Sequence, residues 1–420
     1  MIPEVTLTSP MPSGGTPSWP GAAWIGVADI SQLIQQGHTG QFIGVTTDAE
    51  AYTIARILIR DGLIPLEFAQ VPLVDGCALL PIPAIGERRD AGALPPMSVV
   101  LCTRERPDDL RGALASLLLV DYPEFEIIVV DNAPITDGTE QVVTAIDDPR
   151  VRRVVEPVAG LSMARNAGIR AARHEIIAFT DDDVVADQGW LRGLATGFAQ
   201  ADDVACVAGL VPSGELRTMP QAYFDWRVSW ADNIEPRMYR LSDPPDDVPL
   251  FPFQIGRFGT GANFAIRRKI IIDLGMFDER LGAGTATCGG EDLDVFFRVV
   301  AAGHCLATEP TSIIWHRHRS DDEALLKQAR GYGMGLGAWL TKVALDSEHR
   351  RLALSVLRHR GRAVARAGKA YCAIAAPPPA FLRDVPRSVG RTEVLSVVRG
   401  PAALWREQRR QRARQTRPPR

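Results

Sequence analysis

From Met97 onward short apolar runs alternate with amphipathic stretches, and this alternation restricts the fold more than any other feature of the chain. Residues 98–102, 126–130, 151–155 and 175–180 read as strands. Residues 107–119, 137–146 and 161–172, which lie between them, read as helices, with Pro107 suited to a first helical turn. Such alternation predicts βαβ units and a mainly parallel sheet. Ligands of these sheets bind beyond the carboxyl ends of the strands. Thr103, Asp131 and Asp181 each fall just past such an end. The last run, Ile176-Ile177-Ala178-Phe179-Thr180, leads directly into Asp181-Asp182-Asp183. Adjacent carboxylates repel unless a cation sits between them, and a divalent metal carrying a diphosphate satisfies them with shared oxygen ligands. Taken alone, the triplet also reads as a solvated acidic turn.

A chain of 420 residues can hold two domains, or one large domain with extensions, and its 46% hydrophobic content supports a substantial core. No apolar stretch approaches the roughly 18 residues of a spanning helix. The first residues lack a basic segment followed by an apolar run, so no secretory leader is expected. Cys77, Cys102, Cys206, Cys288, Cys305 and Cys372 lie far apart, which speaks against a zinc ribbon or a disulfide framework and fits a reducing cytosol. The net charge of -3 conceals an asymmetry: residues 351–420 carry 17 Lys and Arg against Asp384, Glu393 and Glu407. That tail is +14 on a body of -17, which predicts an anionic partner for the tail.

Residues 1–22, rich in Pro, Gly, Ser and Thr, read as a disordered leader. Residues 23–95 read as a small α/β appendage and linker. Within it come an apolar run at 41–46, a helix-like stretch at 49–61, a second apolar run at 63–74 and a proline-rich linker at 81–96. Further on, Asp243-Pro244-Pro245-Asp246-Asp247 marks a long loop. Residues 259–266 read as a strand, 291–302 as a helix, and 312–315 as a last strand that carries His316.

Together these pieces resemble a family 2 glycosyltransferase of the GT-A fold. The resemblance rests on Ser98-Val99-Val100-Leu101-Cys102-Thr103-Arg104-Glu105-Arg106, Ile128-Val129-Val130-Asp131-Asn132 and Gly160-Leu161-Ser162-Met163-Ala164-Arg165-Asn166-Ala167-Gly168. It continues through Asp181-Asp182-Asp183, Gly261-Ala262-Asn263, Gly290-Glu291-Asp292 and Trp315-His316. No single motif is specific, but their order and spacing are. The resemblance covers residues 96–320 and implies an α/β, Rossmann-like, mainly parallel sheet. It also implies a nucleoside-diphosphate sugar donor and a glycan or lipid-linked acceptor.

By the same resemblance Thr103 and Glu105 hold the nucleoside, and Asp131 accepts the imide N–H of uracil or thymine. Arg165 pairs with the nucleotide, on a helix whose first amides favour an anion. Asp183 coordinates Mn2+ or Mg2+ with His316 as co-ligand, while Asp181 lies near the ribose or a metal-bound water and Asp182 belongs to the same nucleotide site. Asp292 is the base that deprotonates the acceptor hydroxyl, and Glu291 binds acceptor hydroxyls. Each residue has a plain alternative. Thr103 caps a helix, Asp131 starts a turn, Arg165 pairs with a surface acid, Glu291-Asp292 complement a helix dipole, and His316 is an ordinary buried side chain.

A nucleotidyltransferase would carry a glycine-rich basic loop after the first strand, and residues 98–107 contain no glycine. A dinucleotide-dependent dehydrogenase would show GxGxxG there, and does not. A catalytically silent sugar-nucleotide-binding protein stands as the third alternative, against which the retention of Asp183 and Asp292 argues. After the domain, Gly331-Tyr332-Gly333-Met334-Gly335-Leu336-Gly337-Ala338-Trp339-Leu340 resembles the region that follows the catalytic domain in bacterial members acting on cell-envelope glycans. Its glycines suit close helix packing or a membrane boundary. Residues 321–420 are expected to be a helical, basic extension. It would hold a cytoplasmic protein peripherally on the inner face of the cell membrane through anionic lipid. No motif points to nucleic acid.

Overall fold

The computed structural model describes residues 1–85, 92–371, 379, 382, 385–386 and 388–415. At the N-terminus β1 (Glu4–Thr6), β2 (Trp24–Asp29), α1 (Ser31–Gln35), β3 (Gln41–Val45), β4 (Ile54–Asp61), β5 (Ile64–Pro72) and β6 (Cys77–Pro81) form two three-stranded sheets, ordered β1-β3-β6 and β2-β4-β5. Two expectations are corrected here. The segment 1–22 is ordered: β1 pairs in parallel with β3, and Leu7 and Met11 are buried. The helix-like stretch 49–61 contains strand β4, whose Ile54-Ala55-Arg56-Ile57-Leu58-Ile59 is rich in β-branched residues and is paired on both sides, by β2 and β5. The middle of the 81–96 linker, residues 86–91, lies outside the described residues.

The central region follows the predicted alternation: β7 (Met97–Thr103), α2 (Pro107–Leu118), β8 (Phe125–Asn132), α3 (Gly138–Ala145), β9 (Val151–Glu156), α4 (Leu161–Ala171) and β10 (Ile176–Thr180). Then come β11 (Val184–Ala186), α5 (Trp190–Ala199), β12 (Val204–Leu210), α6 (Met219–Val228), β13 (Arg237–Tyr239) and β14 (Phe264–Arg267). They are followed by α7 (Arg268–Asp273), α8 (Glu291–Ala301) and β15 (Cys305–His316). The strands build a nine-stranded sheet in the order β11-β15-β12-β14-β10-β7-β8-β9, with β13 added to β15. β10, β7, β8 and β9 run parallel, and β14 enters antiparallel between β10 and β12. The strand expected at 259–266 is therefore shorter and later, and the one at 312–315 is the end of a much longer strand.

Successive residues of the central strands serve opposite faces, as the pleat requires. Val100, Ile128, Ile177 and Phe179 pack with α4, α8 and Trp339, whereas Val99, Leu101, Ile127 and Ala178 pack with α2 and α5. A sheet covered on both faces explains why its strands are apolar throughout rather than alternating. The N-terminal unit joins a third cluster, in which Ile25, Val27 and Leu58 bury Trp315 next to His316.

Three helices close the chain: α9 (Asp322–Leu345), α10 (Ser347–Tyr371) and α11 (Ser388–Gln415). Asp321 caps α9 by accepting the Ala324 N–H at 2.8 Å, and Asp322 and Glu323 suit the positive end of its dipole. Glycine lets α9 approach two neighbours at once. A side chain on Gly333 or Gly337 would collide with the carbonyls of Glu393 and Val397 in α11, and one on Gly335 would collide with the Gly289–Gly290 backbone. The glycines thus serve close helix packing. Among the described residues no helix is long and apolar enough to cross a membrane. The run 372–378 with its prolines, and the end of the tail at 416–420, lie outside the described residues.

Lys342 ties α9 to the sheet domain, with Nζ 2.8 Å from Asp278 and 2.7 Å from Asp294. Burial pushes the Asp278 carboxyl up, but hydrogen bonds from Arg280 and Lys342 outweigh it and hold the group well below the usual carboxylate range. A depressed acid stabilises the fold above its ordinary pKa, and that stabilisation fades as the pH falls through the folded value. Lys342→Met is expected to cost about 2 kcal/mol at neutral pH, shrinking in acid as Asp278 takes up its proton. Urea unfolding at several pH values measures both.

Candidate active site

Strand register builds the site. Thr103 of β7 lies opposite Asp131 of β8, and Thr180 of β10 opposite Leu101, so the strand ends share one edge. His316 arrives from far along the chain because β11 pairs antiparallel with β15, setting Val184 opposite His316. Arg317 N–H then donates to the Asp183 carbonyl at 3.2 Å. Across the opening, Gly290 at φ +90° turns the chain into α8, so that Glu291 and Asp292 stand at the helix start. Thr103, Glu291, Asp292 and His316 line a cleft of about 1160 Å³ together with Arg106, Arg165, Trp230, Arg319, Tyr332 and Trp339.

The acids of this edge are crowded, and arginines partly balance them. Asp182 accepts from Thr103 Oγ1 at 2.7 Å and from Arg106. Burial nevertheless pushes its carboxyl up to about 7. Asp183 is approached by Arg106 at 3.1 Å, Arg319 at 3.2 Å and His316 Nε2 at 3.4 Å. Burial opposes its ionisation, but these three groups prevail and hold it below the usual range. Asp181 is raised, chiefly by burial, with Asp183 adding to the shift and Arg165 opposing it.

Arg165 is the buried pivot between the two halves of the site. Its guanidinium donates to Glu291 at 3.0 Å and to the Gly261 carbonyl at 3.1 Å, and lies 3.5 Å from Asp181. Glu291, buried and next to Asp292, is raised to about 7 despite this partner. Asp292 Oδ2 accepts the Gly261 N–H at 3.0 Å and Oδ1 the Leu293 N–H at 2.8 Å, which fixes the carboxylate at the cleft wall.

Asp181, Asp183 and His316 offer ligand atoms within 4.8 Å of one another. The set fits a divalent cation on two counts. Burial and mutual repulsion disfavour the charge on Asp181, a penalty that a cation removes. His316 Nδ1 lies 3.2 Å from Nδ1 of His318, whose burial keeps it neutral. His316 is thus held from behind while Nε2 faces Asp183, the orientation of a metal-ligating imidazole.

Several expected site residues are used differently. Glu105 does not face the cleft. It accepts the Ile135 and Thr136 N–H groups and the Thr136 hydroxyl, at 2.8 to 3.2 Å, and so braces the loop after β8. Asp131 is fully buried next to the cleft residue Asn132, with Oδ2 2.8 Å from Arg153 and Oδ1 without a partner among the described residues. Arg165 spends its donors on Glu291 and Gly261 rather than presenting a free fork. Thr103, Asp181, Asp182, Asp183, Glu291, Asp292 and His316 do line one cleft. Arg106, Arg319 and the α9 residues Tyr332 and Trp339 were missed. Arg106 lies inside the stretch Ser98–Arg106 that carries the resemblance, and Arg319 follows His316 by three residues. The excess of acids at one sheet edge was the signal that cations had to be nearby.

A mainly parallel sheet with clustered acids at its carboxyl edge and a second acidic pair across the cleft agrees with the GT-A fold that the sequence resemblance implied. Residues 98–275 match the family model for Glycosyl transferase family 2. The chain is 28% identical to a pre-mycofactocin glycosyltransferase of Mycobacterium tuberculosis, over 66% of this chain and 53% of that protein. It is also 28% identical to the succinoglycan biosynthesis protein ExoO of Rhizobium meliloti, over 62% of this chain and 73% of that one. The chain thus spans about half the length of the mycobacterial relative. A mannosyltransferase from Pyrobaculum calidifontis, solved with GDP-Man and Mn2+, aligns over 74% of this chain and 89% of its own with 19% identity and a TM-score of 0.48.

Arg165→Met is expected to destabilise the fold by about 3–5 kcal/mol at about pH 8, because Glu291 and Asp181 lose their shared cation. A raised acid opposes folding as the pH rises toward its folded value, so the deficit is smaller at about pH 5, where Glu291 is protonated. Denaturant unfolding at the two pH values checks the difference.

Proposed function

We propose that the chain is a metal-dependent, inverting glycosyltransferase that moves a sugar from a nucleoside-diphosphate sugar to a hydroxyl of a glycan or lipid-linked acceptor. The observation that carries this reading is the meeting of Asp181, Asp183 and His316 with Glu291 and Asp292 in one cleft, joined through Arg165. Asp183 and His316, with Asp181, would hold Mn2+ or Mg2+, which when bound neutralises the departing diphosphate. Arg106 and Arg319 supply further positive charge at the same edge.

Asp292 accepts the proton of the acceptor hydroxyl, whose oxygen bonds to the anomeric carbon as the bond from that carbon to the phosphate oxygen breaks. One displacement inverts the centre. The two backbone N–H groups on Asp292 keep its carboxylate oriented for this step. Glu291, fixed by Arg165, contacts acceptor hydroxyls. Asp131 Oδ1, unpartnered among the described residues, supports a role in reading an imide N–H of uracil or thymine, since a buried oxygen without a donor is rare. Trp339, whose buried Nε1–H also lacks a partner among the described residues, supports an acceptor wall formed by α9. The name of the Rhizobium relative supports a glycan acceptor. A lipid-linked one goes with a reaction at the inner face of a cell membrane.

Asp183→Ala should abolish release of nucleoside diphosphate at every Mn2+ concentration, and Asp292→Asn should retain nucleotide affinity while turnover falls about 10²–10⁴-fold. Calorimetry and a release assay separate the two effects. Turnover of the unaltered protein that persists in excess EDTA overturns the metal-dependent scheme.

Donor choice has its own test. UDP or dTDP should bind more tightly than GDP by about 1–3 kcal/mol, a preference that Asp131→Ala removes, because the imide N–H then lacks its acceptor. GDP binding as tightly as UDP takes this role away from Asp131.

A further inference from the structure

Helix α11 carries two faces of opposite character. Toward α9 it buries Glu393, Ser396, Gly400, Ala403, Leu404 and Glu407. Away from α9, Leu395, Val398 and Trp405 are exposed by 62%, 76% and 56%. Their spacing of three and seven residues sets them in one row along the helix. Arg391, Arg399, Arg406 and Arg409 flank that row and are all exposed, with the Arg409 guanidinium 4.5 Å from the Trp405 ring. The acids of this helix point the other way. Glu393 pairs with Arg227 of α6 at 2.6 Å, and Glu407 accepts the Ala286 N–H at 2.8 Å. The charge left on the outer face is positive.

Large apolar side chains exposed in a row and edged by arginine are the mark of a helix that lies in a membrane interface. The arginine stems lie along the apolar layer while their heads stay in the aqueous headgroup zone. We propose that the outer face of α11 docks on an anionic lipid surface, with Leu395, Val398 and Trp405 entering the acyl boundary and the arginines meeting phosphate headgroups. Charge complementarity selects this occupant. The +14 tail is drawn to anionic lipid while the -17 body is repelled, which turns α11 toward the surface. A second copy of the chain across a two-fold axis would set this arginine-edged face against itself. The inference deepens the lipid-linked reading of the acceptor, yet it is read without turnover, so failure of the transfer reaction would leave it standing.

The test is flotation of the full chain with vesicles of phosphatidylcholine alone, or with phosphatidylglycerol as the major lipid. Binding is expected to the anionic vesicles only, and to weaken in high salt. Val398→Asp, Trp405→Ser and the charge-reversed pair Arg399→Glu with Arg406→Glu should each lower partition about tenfold or more, with thermal unfolding unchanged. Equal binding to neutral vesicles, or undiminished binding by the folded variants, overturns the proposal. So does a dimer in solution that Val398→Asp dissociates without any effect on vesicle binding.

Discussion

Too much negative charge in too small a space is the constraint from which the site follows. Asp181, Asp182 and Asp183 leave the carboxyl edge of the sheet, and Glu291 and Asp292 face them from the start of α8. In water such a cluster is unremarkable, but burial makes each charge expensive unless a cation is near. The protein answers with Arg106 on Asp182 and Asp183, Arg319 on Asp183, and Arg165 between Asp181 and Glu291. The compensation is incomplete. Asp182 and Glu291 still sit near 7, and Asp181 is raised, while Asp183 is held firmly ionised. That residual imbalance is what a divalent cation would relieve, and Asp181, Asp183 and His316 offer ligand atoms within 4.8 Å of one another there.

The region beyond residue 320 completes the site. α9 passes so close to the Gly289–Gly290 turn that only glycine fits at Gly335, while Gly333 and Gly337 admit α11 on another side. The same helix brings Tyr332 and Trp339 to the cleft and sends Lys342 to Asp278 and Asp294. α11 is therefore joined, through α9, to the turn that carries Glu291 and Asp292. This coupling gives the C-terminal helices a structural part in the site that a flexible basic tail could not have.

Legibility differed from one element to the next for physical reasons. The β7 to β10 alternation was plain because a sheet buried on both faces demands continuous apolar runs, and the acids after Thr180 stand out against them. β4 was misread, since its residues suit a helix or a strand, and pairing with both β2 and β5 decided the matter. The first 22 residues looked disordered by composition, yet the edges offered by β2 and β3 order them. Glu105 follows a strand end as a nucleoside ligand would, and its diversion to Ile135 and Thr136 depends on a loop the sequence does not bring near it.

The sequence by itself determined the class of fold, the edge at which chemistry would gather, and the acids that crowd there, because strand ends and apolar periodicity are local properties. Tertiary structure decided which cations meet those acids. His316 reaches Asp183 only through the β11–β15 pairing, Arg165 reaches Glu291 only because α4 and α8 lie on one face of the sheet, and α9 reaches the cleft only because glycine permits the approach. Pairings so distant along the chain carry no local pattern, so charge balance could be demanded from the sequence but its partners could be named only from the fold.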